Sequence, residues 1–264
     1  KIEKDKKYVD EMKVWLLKQK QLNNWPTTKA TTEAIYALLL KGTDWTSIKD
    51  NTKFKIGNEK VLTKKLSEKE KEAETGYIKM NWDSKEITNE MATISVDNNS
   101  DVPAFGGLYW QYFENLEAIK SDSTATLSIS KNLFKKIKTT EGEKLIEINQ
   151  ENINIGDLVT IRLIIKTDDD LEYVHLKDSR ASCFEPVDVI SKYEWKEGTG
   201  YYRSTKDVAT HYFFDTLKKG TYVLEYDVRI NNSGNFNDGI ATIQSMYAPE
   251  FSSHSTSTKL VIKK

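Results

Sequence analysis

Residues 158–166 read LVTIRLIIK, and in them Val159, Ile161, Leu163 and Ile165 alternate with Thr160, Arg162 and Ile164. A period of two sends alternate side chains to opposite faces, so this stretch is a strand with one apolar face. Ile155-Gly156-Asp157 reads as the turn that feeds it, and Asp168–Asp170 as the turn that leaves it for a strand at Leu171–Asp178. Going outward, Tyr201–Thr205, His211–Leu217, Thr221–Ile230, Gly239–Met246 and Leu260–Ile262 read as further strands, most of them divided by Gly- or Asn-containing turns. On the other side, Leu127–Ile129, Leu133–Ile137 and Leu145–Ile148 read as three short strands. Many short strands with turn signals between them predict a β-sandwich.

Further upstream the β character is thinner. Phe54, Ile56, Val61 and Leu62 fall in short β-like stretches, and the charged run 64–74 reads as an exposed loop. GYIKMNW at 76–82 alternates like a half-buried strand, and Met91–Val96 like another. Asn98–Pro103 is turn-rich, and FGGLYWQYF at 105–113 is strongly aromatic, with Gly106 and Gly107 predicting a bulge or a close backbone approach. About four strands are too few to close a sandwich, which predicts partner strands from elsewhere.

The chain opens differently. Tyr8, Met12, Trp15 and Leu16 share a helical face within residues 3–22. Pro26 breaks that helix, Thr27 or Thr28 caps a second one, and Ala34, Ile35, Leu38 and Leu39 give it an apolar stripe up to a stop at Gly42. An α-helical hairpin of this size buries too little surface to stand alone. Its abrupt start without a signal peptide fits an expectation that the sequence is a fragment of a longer protein.

Composition excludes several functions. In 264 residues, 39 Lys and Arg balance 40 Asp and Glu, leaving no basic excess for nucleic acid. The aromatic share of 11% argues against a disordered chain. A single cysteine, Cys183, forms no internal disulfide and no metal cluster, and its setting beside Phe184 and Pro186 reads as core. His175, His211 and His254 lack metal-ligand spacing, Asp168–Asp170 lacks the glycine and terminal glutamate of a calcium loop, and no G-x-S-x-G elbow occurs. The expectation is therefore no enzyme, no metal and no cofactor. Tyr193, Trp195, Tyr201 and Tyr202 flank the loop 196–200 and form a candidate contact with a partner or a sugar. Met246 and Tyr247 end a strand before the Ala248–Glu250 turn.

Several of these segments resemble the C-terminal domain of bacterial alpha-2-macroglobulin-like proteins: Gly156–Thr160, Asp170–Val174, Asp178, Phe184-Glu185-Pro186, Tyr202-Arg203 with Asp207, Phe213-Phe214, LKKGTYVLEY at 217–226 and Met246–Glu250. Trp25–Thr28 with Ala30, Thr31 and Ala34 is similar to the last helical hairpin of that family's thioester domain. The resemblance implies residues 1–49 as the end of the helical domain, 50–118 as the second half of a CUB-like β domain, and 119–264 as the last macroglobulin-like, Ig-like sandwich. It implies a mainly β piece of a protease trap, found in the periplasm or at the cell surface, whose partners are the upstream domains of the same polypeptide and the target proteases. It further implies that Met246 and Tyr247 shield a thioester or meet the helical domain. The Cys-x-Glu-Gln thioester motif is absent: Cys183 is followed by Phe184-Glu185-Pro186, with proline where the glutamine belongs. An isolated half-domain would expose an apolar sheet face, so self-association is expected. The rival reading is a cell-surface Ig-like adhesion or carbohydrate-binding module.

Overall fold

The computed structural model describes residues 6–22, 24–40, 52–57, 70–71, 78–99, 106–124, 126–148, 153–196 and 198–263. In chain order these form helices α1 (Lys6–Leu22) and α2 (Thr28–Leu40), then strands β1 (Thr52–Ile56), β2 (Glu70–Lys71), β3 (Ile78–Lys79), β4 (Ile94–Asn98) and β5 (Asp122–Ser123). The series continues with β6 (Leu127–Thr139), β7 (Gly142–Glu147), β8 (Leu158–Thr167), β9 (Leu171–Ser179), β10 (Phe184–Pro186), β11 (Lys192–Lys196) and β12 (Thr199–Thr205). It ends with β13 (Ala209–Leu217), β14 (Gly220–Ile230), β15 (Gly234–Asn237), β16 (Ala241–Ser245), β17 (Ser252–His254) and β18 (Lys259–Ile262). The chain divides into two compact units, residues 1–18 with 25–110 and residues 19–24 with 111–264.

In the second unit two antiparallel sheets face each other. One has the order β10-β14-β8-β6-β7, the other β11-β12-β13-β9-β16-β17-β5. The alternation of LVTIRLIIK sets the inner layer: Val159, Ile161, Leu163 and Ile165 all lie at 0% exposure. Burying each contributes about 1.5–3 kcal/mol. From the same sheet Leu224, Val228 and Ile230 join them, and from the opposite one Val174, Leu176, Tyr212, Phe214 and Ile243. A polar pin crosses between the sheets. Lys131 of β6 lies 2.8 Å from Asp178 of β9 and donates to the carbonyls of Ser179 and Asp238 at 2.7 and 2.8 Å. Tyr226 of β14 donates to the same aspartate at 2.6 Å.

Two sequence expectations change here. Leu127–Ile129 and Leu133–Ile137 are one strand of 13 residues, because Ser130, Lys131 and Asn132 stay in register with β8. Lys131 is not a break; it is an ion-paired position inside the sandwich. The strands β5, β10, β11, β15 and β17 are additions to the expected set; all but the five-residue β11 have four residues or fewer, too few to show a period in the sequence.

In the first unit Thr27 caps α2 by accepting from the Ala30 amide at 3.0 Å, as expected for an N-cap three residues before that donor. The predicted stripes remain largely uncovered: Tyr8, Met12 and Trp15 on α1 and Ile35 and Leu39 on α2 are all exposed, and Ala34 is buried. β1 pairs with β4, where Ile94 and Val96 are exposed. Within 76–82 only Ile78–Lys79 is strand among the described residues, and it pairs with Glu70–Lys71, so part of the predicted loop is strand. Met91 sits in a 3-10 turn (Asn89–Ala92) and is buried, which ends the expected alternation from Met91. Residues 106–115 are irregular and exposed, and a Cβ at Gly106 would meet nothing within 4 Å, so that glycine makes no close approach. The predicted features at Gly42, Val61, Leu62 and Ser100–Pro103 lie outside the described residues.

Candidate functional site

Met246 and Tyr247 stand at the apex of the connection from β16 to β17. Ser245 is the last residue of β16 paired with β9, opposite Val174. Beyond it the Met246 amide donates to the Tyr173 carbonyl at 2.9 Å, and the Ser245 hydroxyl donates to the Glu172 carbonyl at 3.4 Å. The hairpin is closed by amide donation from Ser245 to the Phe251 carbonyl at 3.0 Å and from Phe251 to the Ala248 carbonyl at 2.9 Å. Ala248 is buried, which anchors the turn and leaves the two preceding side chains outside: Met246 is 59% exposed and Tyr247 78%. An apolar and aromatic pair held outward by a pinned backbone is suited to contact and to excluding water at another surface.

The support for this apex is unusual. Tyr173, in the middle of β9, has φ +52°, the one non-glycine residue with positive φ among those described. For a bulky side chain this left-handed conformation costs about 1–3 kcal/mol and persists only when its surroundings hold it. The surroundings are visible in the burial pattern. Leu171 and Val174 are both buried although three residues apart, and on β13 so are Phe214 and Leu217. A regular strand would send such pairs to opposite faces. Both strands therefore change phase together at the Tyr173–Asp215 level, where ladder pairing lapses between Phe214↔Val174 and Thr216↔Glu172. The Tyr173 ring, 42% exposed, then meets Tyr247 edge to face, with centroids 5.2 Å apart and planes at 87°.

The second predicted group divides. Tyr193, Trp195 and Tyr202 are exposed, whereas Tyr201 is 2% exposed, packs on Tyr212 and Phe214, and donates to Glu194 at 3.0 Å. Tyr201 thus belongs to the core, as alternation along β12 requires. The outer face carries a cross-strand row, Tyr193–Tyr202–Phe213–His175–Gln244, that spans five strands by register. Its glycine neighbour matters: a Cβ on Gly200 would come within 2.8 Å of the Trp195 ring and collide with the Tyr193 hydroxyl, so Gly200 lets both side chains lie on the sheet. His175 and Phe213 stack on each other at 4.7 Å and 12°.

Sequence spacing does not bring His175 and His211 together, yet their ring nitrogens Nε2 and Nδ1 are 3.0 Å apart. The signal lies only in register, since both are outward residues of adjacent strands. Burial lowers both pKa values; His211 adds to this at His175, and Lys177, Lys206 and Arg180 add to it at His211. The neighbouring cations make the pair a poor cation ligand. Cys183 is fully buried, and burial pushes its thiol up to about 11.

Comparison with known proteins gives a match over a little under half of the chain. Residues 127–250 match the family model of the bacterial alpha-2-macroglobulin MG10 domain. The chain is similar to trypsin-activated alpha-2-macroglobulin from Escherichia coli, at 12% identity over 94% of this chain and 16% of that one, with a TM-score of 0.49. It is also similar to Salmonella alpha-2-macroglobulin reacted with methylamine, at 18% identity over 56% of this chain and 10% of that one, with a TM-score of 0.46. A curated relative, circularly permutated Ras protein 2 of Dictyostelium discoideum, is 25% identical over 138 residues, which make up 52% of this chain and 3% of the relative. The chain thus spans a small part of the proteins it resembles, and the bacterial alpha-2-macroglobulin MG10 match is confined to residues 127–250.

Proposed function

We propose, on the premise that the chain belongs to the bacterial alpha-2-macroglobulin family through its MG10 domain at residues 127–250, that it is a structural, non-catalytic part of a broad-spectrum protease trap. In this reading the sandwich holds an upstream helical domain in a resting arrangement and moves when a protease cuts elsewhere in the polypeptide. Such a trap needs two states of the assembly and an event that releases one of them. The carrying observation is the exposed Met246–Tyr247 apex at the end of the matched domain. Where the parent bears a thioester, an apolar and aromatic cover would keep hydrolytic water from it; where it bears none, the same pair would be the interface to the helical domain.

Residues 1–49, 50–118 and 119–264 are proposed as the end of the helical domain, the second half of a CUB-like domain and the last macroglobulin-like sandwich. The uncovered stripes of α1 and α2 and the exposed Ile94 and Val96 support this, because such surfaces are ordinarily paired. A periplasmic or cell-surface location belongs to the same reading. Among the described residues no helix is long and apolar enough to cross a membrane.

The test is to incubate the longer parent polypeptide with a protease and to follow cleavage of a small peptide and of a large protein. Caging predicts that large-substrate cleavage is lost and small-substrate cleavage kept. Equal loss of both, or loss of neither, would reject the trap reading.

A further inference from the structure

We infer that Tyr173 is the positioning residue of the Met246–Tyr247 surface: its left-handed backbone sets the carbonyl that holds Met246, and its ring sets the edge on which Tyr247 stands. The value of the surface as a domain contact rests on the proposed function above; the positioning itself does not.

Four observations converge. First, a tyrosine at φ +52° inside a strand is sterically disfavoured, and glycine or asparagine would adopt that conformation more readily. Second, the buried Leu171 and Leu217 are paired across β9 and β13 at 0% exposure each, on the far side of the phase change, so the turn of the backbone at Tyr173 is what lets both strands refill the core beyond it. Third, the carbonyl of the same residue accepts the Met246 amide at 2.9 Å, the bond that flanks the Ser245↔Val174 pair and closes the β9–β16 ladder at the foot of the apex. Fourth, the ring contact at 5.2 Å and 87° joins this left-handed residue to the most exposed residue of the apex. An exposed side chain such as Tyr247 is otherwise free to sample several rotamers, and a contact surface that is already ordered loses less entropy on docking. Tyr173 therefore restricts Tyr247 before any partner arrives.

Backbone and ring can be separated by substitution. Tyr173→Phe keeps both, Tyr173→Asn keeps the left-handed backbone and removes the ring, and Tyr173→Val removes the ring and excludes the left-handed backbone through its β-branch. The measurements are amide hydrogen exchange at Met246 and the ring-proton shifts of Tyr247 in the 264-residue chain, with the Ile161 amide as a control for the core. Expected are no change in Y173F, retained Met246 protection with Tyr247 shifts moved toward those of a free ring in Y173N, and about tenfold faster Met246 exchange in Y173V with Ile161 unchanged. Equal Met246 protection in Y173V and the unsubstituted chain would overturn the inference, as would unchanged Tyr247 shifts in Y173N. If Y173V does not fold, Y173N against Y173F decides the matter alone. In the longer parent, Met246→Ala and Tyr247→Ala then test the surface itself. If neither alters docking of the helical domain, the proposed function of the pair fails while the exchange result stands.

Discussion

Lys131 and Asp178 form an ion pair of 2.8 Å between the two sheets of the sandwich, with side chains 1% and 0% exposed. Neither charge has solvent to fall back on. Tyr226, whose hydroxyl is kept protonated by burial, is a donor to the same carboxylate at all ordinary pH values.

Removing one partner should therefore be far more damaging than removing an exposed charge. Lys131→Met leaves Asp178 buried without its cation and is expected to lower stability by about 3–5 kcal/mol. Lys131→Met combined with Asp178→Leu should recover a part of that loss, because the unpaired charge is gone. Urea denaturation of the two variants reads both values, and a loss under about 1 kcal/mol for Lys131→Met would show that the pin is not holding the sheets.

Asp188 gives an acid dependence. The Arg203 guanidinium, then the Lys192 ammonium and the Ile190 amide, hold its carboxyl down to about 2. Below the unfolded value near 4 the unfolded chain takes up a proton more readily, so the contribution is complete above about pH 4 and is lost as pH falls toward 2. Asp188 is 41% exposed, so screening limits the contribution to about 1 kcal/mol or less. Urea midpoints between pH 2 and 5 should fall less steeply in Asp188→Asn than in the unsubstituted chain; identical slopes would remove this carboxylate from the acid response.

His175 and His211 act in a neighbouring window. Burial and, at His175, the facing His211 and Lys177 lower the folded pKa, so the unfolded chain binds the proton first on acidification. Stability from the pair is full above about pH 6.5 and declines as pH drops through the folded values. Proton NMR of the imidazole rings should show both titrating below 6.5, and His211→Phe should move His175 back toward the ordinary value. A His175 that titrates at 6.5 or higher would contradict the stacked, hydrogen-bonded arrangement.

Cys183 should be chemically silent in the folded chain. With no exposure and its thiol pushed up to about 11, the thiolate needed for attack is scarce and out of reach. Labelling by a thiol reagent at pH 8 is expected only after denaturation. Stoichiometric labelling of the native chain would mean that the β10 region opens.

Gly239 tests a tight junction. It has φ +75°, and a Cβ there would lie 2.7 Å from the Ser179 carbonyl oxygen, which is backbone and cannot swing aside. Gly239→Ala is expected to cost more than about 1 kcal/mol, read as a lowered thermal midpoint. The contrasting position is Gly142, where a Cβ meets nothing within 4 Å and the cost is that of its positive φ alone.

Some of this was legible in advance because it is local. The alternation of Val159, Ile161, Leu163 and Ile165 determines which face of β8 is buried, whatever it packs against; β14 follows the same rule throughout, and β9 follows it only from Val174 onward. Thr27 as an N-cap is equally local, a hydroxyl three residues before the amide it accepts from. Alternation carried through β12 also separates buried Tyr201 from exposed Tyr202; grouping the two treats neighbours in sequence as neighbours in space.

Cross-strand partners are another matter, because register joins residues that the sequence keeps far apart. The sequence by itself determined most of the longer strands of the sandwich and the inward face of β8, since side-chain period and turn chemistry act over a few residues. Only the tertiary structure decided that Lys131 would meet Asp178, that His175 would meet His211, and that Tyr173 would bend left-handed beneath Tyr247. The last of these depends on two leucines, Leu171 and Leu217, being returned to the core at the same level of two different strands. No local preference of a tyrosine favours that conformation; the packing of the sandwich imposes it.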